Sequence, residues 1–135
     1  MYPANARKRF VQDGLSVVPP ARLLLMLYER LLRDLDDAEA AIATGSVGPA
    51  HAALTHAQAI VDELRLALDP AVWPEAEALA GVYTWVSAQL VEANMRKDGD
   101  AVRRAREVLT PLSAAWAEAY DTSQRAAAVA GARSA

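Results

Sequence analysis

The stretch PPARLLLMLYERLL, residues 19–32, decides the fold because it joins a helix start to a run of large apolar side chains. Proline suits the first position of a helix, where its missing N–H would have no intrahelical partner, so we expect a helix to begin near Pro20. The run LLLMLY is far too short to span a bilayer, which takes about 20 apolar residues. This helix is therefore expected to bury its apolar face against other helices.

The apolar face of this first helix is wider than one packing contact needs. On a helical wheel its apolar residues cover an arc of about 200°, and a seam against a partner helix uses about half of that arc. The residues are Leu23, Leu24, Leu25, Leu27, Tyr28, Leu31, Leu32 and Leu35. Two interpretations remain open: the helix lies deep between two neighbours, which the wheel alone favours, or it keeps a second face for a partner.

Prolines, glycines and aspartates divide the remaining chain into helical segments, with no alternating strand-like pattern between them. The expected helices run from Pro20 to Thr44-Gly45, from about Pro49 to Leu68, from Pro74 to the MRKDGD stretch, and from an Asp98 or Asp100 cap to roughly Tyr120. Gly99 is expected to take the left-handed conformation that ends the third helix.

Each segment carries an apolar seam with alternating steps of three and four residues. The seams are Leu24, Tyr28, Leu31, Leu35, Ala38 and Ile42; Leu54, Ala57, Val61, Leu64 and Leu68; Leu79, Tyr83, Val86, Leu90 and Ala93; and Val102, Ala105, Leu109, Leu112, Trp116 and Ala119. Four seams with short connections predict an all-α protein, an antiparallel up-down four-helix bundle.

The expected organisation is an N-terminal arm or short extra helix over residues 1–19, the bundle over 20–121, and a low-complexity tail over 122–135. The tail lacks a seam, so it is either a frayed helical extension or disordered. Pro111 falls inside the fourth segment, where it removes a backbone hydrogen bond. We expect a kink there, with a break into two helices as the alternative.

Composition narrows the function classes. The 135 residues include no cysteine, which excludes disulfides, thiol nucleophiles and cysteine metal sites and fits a reducing cytosol. A net charge of −3 does not attract nucleic acid or anionic lipid, and the basic run at residues 7–9 has no aromatic platform beside it. No signal peptide is recognisable in the first residues.

The sequence offers no constellation that points to an enzyme. The Glu-x-x-His pairs of metal-binding bundles are absent, and His51 and His56 point about 140° apart on a helix, so they cannot share a metal. Both are expected on the surface or rim. Asp36 and Asp37 lie opposite the first seam, where a solvated face explains them. We expect no catalytic residue, no metal and no cofactor.

Two apolar features lie outside the seams. Trp85 is about 100° from the third seam beside the small residues Ala78, Gly81 and Ala88, which indicates either a shallow binding groove or a close approach by a neighbouring helix. The arm carries unpatterned apolar side chains, including Tyr2 and Phe10, so it is either loose or laid across the bundle.

Five blocks stand in order along the chain: the opening MY with an aromatic at Phe10; Pro20, Leu23, Met26, Leu27 and Tyr28; AQAIVDELRLALD; Tyr83, Leu90, Ala93, Asn94 and Asp98; and Leu112 with Trp116. Together these blocks resemble the FliS family of flagellar export chaperones. The resemblance covers residues 1 to about 118. The chain departs from the family pattern at Glu29-Arg30, where the family has Asp-Gly, at Val82 and Trp85, at Phe10 in place of tyrosine, and at Pro111.

The resemblance implies a cytoplasmic, non-enzymatic chaperone whose client is the disordered C-terminal segment of flagellin. It implies that binding prevents premature polymerisation and precedes delivery to the export gate of the flagellar type III apparatus. A segment that orders on binding needs a large apolar contact, and the family's arm is expected to cover part of that surface until the client displaces it. The expected client contacts are Tyr2, Phe10, Leu23, Leu27, Tyr83, Trp85 and Asn94.

Some assignments stay open on the sequence. Asn94 is either a polar fixing point for the client or a residue that ends the third helix. Within the first helix, Leu24, Tyr28 and Leu31 are expected to hold the bundle, with Leu23 and Leu27 nearer the arm or client. The free protein is a monomer or a homodimer. The alternative function is a helical adaptor or self-oligomerising bundle without a flagellin client.

Overall fold

The described part of the chain forms four helices and contains no strand. The structure, a computed structural model, describes residues 20–69, 71 and 74–134. The helices are α1 (Pro20–Ala43), α2 (Val47–Leu66), α3 (Ala76–Arg96) and α4 (Gly99–Ser134). The predicted arm, with Tyr2 and Phe10, lies outside the described residues.

The helices form a bundle in which α1 and α3 each pack against α2 and α4. The pairs α1/α3 and α2/α4 lie across the two diagonals. Because the connections are short, successive helices run in opposite directions, and the start of α1, the end of α2 and the start of α3 share one end of the bundle. The predicted all-α bundle is confirmed.

The core follows the predicted seams closely. Its fully buried large side chains include Tyr28, Leu31, Leu35, Leu54, Leu64, Tyr83, Leu90 and Leu109. Leu24, Ile42, Leu68, Leu112 and Trp116 pack against this core while partly exposed. Ala119 is exposed, contrary to the predicted fourth seam, because α4 at that point has reached the end of the bundle.

Two helices end in left-handed residues, and one of them is not the residue predicted. Gly45 ends α1 with a φ of 71°, and the N–H of Ser46 donates to the Ala41 carbonyl at 2.8 Å. At the end of α3 the left-handed residue is Lys97, with a φ of 51°, rather than Gly99. Gly99 instead begins α4, because the Asp98 carboxylate accepts a hydrogen bond from the Asp100 N–H at 2.9 Å.

The starts of two helices also differ from expectation. The second helix, α2, begins at Val47, two residues before Pro49, which is tolerated because N–H groups of a first turn have no partner. The third helix, α3, begins at Ala76, and Pro74 lies in the preceding turn.

The last helix is longer than the bundle. Its 36 residues span about 54 Å, whereas the 24 residues of α1 span about 36 Å. It continues past Tyr120 to Ser134, so the tail is helical as one alternative predicted, and side chains 121–133 are all exposed. It also runs through Pro111 without a break, which makes the two-helix alternative wrong, while the kink stays a prediction.

Candidate functional site

The centre of the bundle holds a pair of tyrosines rather than a reactive site. The hydroxyls of Tyr28 and Tyr83 hydrogen-bond to each other, and both side chains are 1% exposed or less. Burial raises the pKa of both hydroxyls, and at Tyr28 hydrogen bonds from Tyr83 and Trp116 offset part of the increase. The pair is therefore neutral at physiological pH and acts as a polar contact inside the core.

The burial of Tyr83 disagrees with its predicted role as a client contact. Tyr83 was expected both in the third seam and on the client surface, and the structure places it in the seam. A buried side chain contacts a client only if the bundle opens, so Tyr83 is left out of the surface proposed below.

A buried carboxylate that sequence reasoning missed joins α1 to α2. Asp34 is 1% exposed and accepts a hydrogen bond from Arg30 Nε at 3.1 Å, while its second oxygen contacts His56 Nδ1. The sequence contains one indication of this contact: Asp34 lies four residues after Arg30, the spacing of an ion pair on a helix, and it is next to Leu35 of the seam. His56 lies on the rim with half of its side chain exposed, as expected.

The expected solvated face of α1 is a charged contact with α4. Asp36 and Asp37 are both exposed, and Asp36 forms an ion pair with Arg106 at 3.0 Å. Glu39 lies 3.0 Å from the same guanidinium and 3.7 Å from that of Arg103. Within the described residues no cluster of three His, Cys, Asp or Glu side chains has a geometry that could hold a metal ion.

Asn94 lies at the end of α3, where it contacts the start of α2. Its amide nitrogen lies 3.0 Å from His51 Nδ1, and Lys97 Nζ donates to its backbone carbonyl at 2.6 Å. Lys97 Nζ also donates to the Asn94 side-chain oxygen, so the side chain contacts the last residue of the helix end, while its role as a client contact stays a prediction. His51 is exposed, as expected.

The groove expected beside Trp85 is present. It is an open depression of about 400 Å³ lined by Ala78, Gly81, Val82, Trp85 and Val108. Trp85 is 40% exposed, and a Cβ placed on Gly81 would meet nothing within 4 Å. No neighbouring helix approaches closely at Gly81, so the alternative of tight helix packing is wrong there. Sequence analysis missed Val108, which α4 contributes.

A second exposed apolar surface lies at the first turns of α1. Residues 23–27, here called the α1 entry surface, are five consecutive large apolar residues, none of them fully buried. Leu24 and Leu27 pack partly against the core, Leu23 and Leu25 are half-buried, and Met26 is 47% exposed. The wide apolar arc is therefore only partly covered at this end of α1, whereas Tyr28 and Leu31 are buried in the bundle as expected.

The predicted contact residues do not form one cluster. The α1 entry surface lies at one end of the bundle, Asn94 lies near the other end, and Trp85 faces outward between them on α3. Tyr83 is in the core. A single compact pocket could not contact Leu23, Trp85 and Asn94 together, although an extended segment could.

No helix among the described residues is long and apolar enough to cross a membrane.

Comparison with known proteins gives the chain its family. The family model described as flagellar protein FliS matches residues 3–123. The flagellar secretion chaperone FliS of Bacillus subtilis is 25% identical over 121 residues, which cover 90% of each chain. That of Salmonella typhimurium is 28% identical over 122 residues, covering 86% of this chain and 90% of the relative.

A solved structure supports the fold. It is described as a crystal structure of a flagellar chaperone from bacteria, and it superposes with a TM-score of 0.71 at 22% identity over 87% of this chain and 97% of its own. The resemblance drawn from the sequence is confirmed. Since the family match extends from residue 3 to residue 123 and so includes α1, α2 and α3 entirely, the chain belongs to the FliS family of flagellar secretion chaperones.

Proposed function

We propose that this protein binds the disordered C-terminal segment of flagellin in the cytoplasm, prevents its premature polymerisation, and supports its delivery to the flagellar type III export apparatus. Family membership and two relatives named as flagellar secretion chaperones support the proposal. The action is binding alone, without catalysis, metal or cofactor.

The observation that carries the proposal is the α1 entry surface. A self-contained bundle gains from covering large apolar side chains, since each one removed from water contributes about 1.5–3 kcal/mol. Here five in a row, residues 23–27, keep part of their surface exposed. A disordered segment must offset its lost conformational entropy with apolar contact, and this surface supplies such contact.

The client follows the bundle as an extended chain. Met26 and Leu23 provide apolar contact at one end, and Trp85 with its open depression provides a second apolar contact along α3. Asn94 is the proposed polar contact near the far end, and it exchanges its bond to His51 for one to the client backbone. Tyr2 and Phe10 of the arm remain predicted covers of this surface.

Calorimetric titration with a C-terminal peptide of the source organism's flagellin tests the function. We expect one-to-one binding with a strongly negative heat-capacity change, because apolar surface is buried. A scrambled peptide of the same composition is the control. Absence of heat and of a mobility shift at high micromolar concentration would contradict the proposal.

The arm has its own test in the same assay. Deleting residues 1–18 should raise the association rate of the peptide and the binding of an apolar dye, because the α1 entry surface loses its cover. Unchanged kinetics and unchanged dye binding would show that the arm covers nothing.

A further inference from the structure

The packing of α4 against the bundle changes at Pro111. Before this residue, four apolar side chains are completely buried in the core: Ala101, Val102, Ala105 and Leu109. After it, none of residues 112–120 is fully buried, and Leu112 and Trp116 pack against the core while partly exposed. Pro111 therefore separates a firmly packed half of α4 from a loosely packed half.

Pro111 also removes backbone support at this boundary. Proline has no N–H, so the carbonyl of Glu107 lacks the donor that a helix supplies four residues later, and the proline ring crowds that carbonyl. Sharp bends in helices occur mainly at such positions. The position at which α4 bends most readily is therefore also the position at which its packing changes.

The charged side chains of α4 follow the same division. Arg103 and Arg106 lie 3.7 and 3.0 Å from the carboxylate of Glu39 on α1. Arg104 Nε donates to a glutamine side chain of α3 at 3.0 Å. All three arginines precede Pro111, so they attach the first half of α4 to both of its neighbours.

The second half of α4 runs beside the α1 entry surface. Its buried Trp116 indole N–H donates to the Tyr28 hydroxyl, and this contact and the ion pairs fix an antiparallel register between α4 and α1. Because both helices rise by the same distance per residue, residues 117–120 lie at the level of residues 24–27. A movement of this half of α4 would therefore change how much of the α1 entry surface is covered.

We propose that residues 112–120, here called the α4 lid, pivot at Pro111 and swing away from the start of α1. The structure shows the closed position, in which Leu112 and Trp116 pack against the core. In the open position these two side chains and the adjacent side of α1 become accessible, and the α1 entry surface widens into an apolar groove. The first half of α4 stays in place because its buried side chains and its arginines hold it.

The role of the lid in binding rests on the proposed function. A flagellin segment in the open groove holds the lid away from α1, since the segment and the closed lid occupy the same side of the α1 entry surface. Binding then selects the open position, so the opening equilibrium limits both the affinity and the association rate.

Hydrogen exchange of the full chain tests the pivot without any client. We expect the amides of the α4 lid to exchange faster than those of residues 101–109. Pro111→Ala restores the missing backbone hydrogen bond and should slow exchange in the lid by about tenfold or more. Equal exchange in the two halves of α4, or lid exchange that P111A leaves unchanged, would overturn the proposal.

Thr110→Ala is the matched control for this experiment. Thr110 is the exposed residue next to Pro111, and its replacement by alanine also raises helix propensity but adds no backbone hydrogen bond. We expect T110A to change exchange in the lid by less than about threefold. An effect of T110A as large as that of P111A would overturn the assignment of the pivot to the missing hydrogen bond.

Peptide binding tests the role of the lid separately from the flagellin proposal. The flagellin C-terminal peptide should associate with P111A about fivefold or more slowly than with the unmodified protein or with T110A. Association at the same rate with all three proteins would overturn the link between the lid and the client. Absence of binding to all three would contradict the flagellin proposal instead, and the exchange rates would still decide whether α4 pivots.

Discussion

The hydroxyls of Tyr28 and Tyr83 hydrogen-bond to each other across the diagonal of the bundle and so link α1 to α3, two helices that are not direct neighbours. Both hydroxyls are buried, so water cannot hydrogen-bond to them, and each hydroxyl provides the hydrogen-bond partner that the other needs. This contact helps to set the position of α1 relative to α3 along the bundle axis. The first of these helices carries the α1 entry surface, and the second carries the Trp85 depression.

Removing one hydroxyl of this pair should therefore destabilise the bundle. Tyr83→Phe leaves the Tyr28 hydroxyl without that partner, and we expect a loss of about 1–3 kcal/mol in the free energy of unfolding. The double variant Y28F/Y83F should lose less than the sum of the two single variants. Urea unfolding of all four proteins measures the cycle, and strictly additive losses would show that the hydroxyls are not coupled.

The same pair predicts a pH dependence. Burial raises the pKa of both hydroxyls above the ordinary value of 10.0, so the unfolded chain loses these protons first as the pH increases. The stability contributed by the neutral pair is complete below pH 10 and falls above it, by up to about 1.4 kcal/mol per pH unit for each tyrosine. The Y28F/Y83F variant should show a smaller fall between pH 9 and pH 11. Parallel curves for the two proteins would contradict this explanation.

Asp34 should contribute more to stability than its exposed neighbour Asp37. Asp34→Ala removes the contacts with Arg30 and His56 at the α1–α2 interface and leaves space where a carboxylate was buried. We expect a loss of about 1–3 kcal/mol, against less than about 0.5 kcal/mol for Asp37→Ala. Thermal and urea unfolding compare the two, and equal losses would contradict a structural role for Asp34.

Gly45 and Gly48 form a matched pair for the turn between α1 and α2. Neither has an atom within 4 Å of an added Cβ, but only Gly45 has a positive φ, at 71°. Gly45→Ala should destabilise by about 1 kcal/mol through backbone strain. Gly48→Ala, inside α2, should stabilise by up to about 1 kcal/mol. A neutral effect at Gly45 would mean that the turn adopts another conformation.

Periodicity predicted the bundle because the apolar spacing that buries a seam is visible in sequence. It placed Tyr28, Leu54, Val86 and Leu109 in the core, where they lie. Periodicity failed where the burial of a residue depends on a tertiary contact or on the length of a helix. Ala119 matches the fourth seam, but it is exposed because α4 leaves the bundle at that point.

The details of the site required three-dimensional contacts. The buried Asp34 depends on His56, which is 22 positions further along the chain, and the Trp85 depression depends on Val108 of another helix. Helix ends were equally ambiguous, since Lys97 rather than Gly99 takes the left-handed conformation once Asp98 caps α4. The contacts of Asp34 with His56 and of the Trp85 depression with Val108 join residues from different helices, so the local sequence carries no signal for them.

The most direct test of the central claim compares the affinity of the flagellin C-terminal peptide for two variants. Met26→Glu places a charge on the α1 entry surface, and Val129→Glu makes the same change at an exposed residue of the α4 extension. We predict that M26E raises the dissociation constant at least tenfold, which corresponds to a loss of about 1.4 kcal/mol in binding free energy. V129E should change the dissociation constant by less than about twofold. Equal affinity of both variants and the unmodified protein would contradict the assignment of the client to the α1 entry surface.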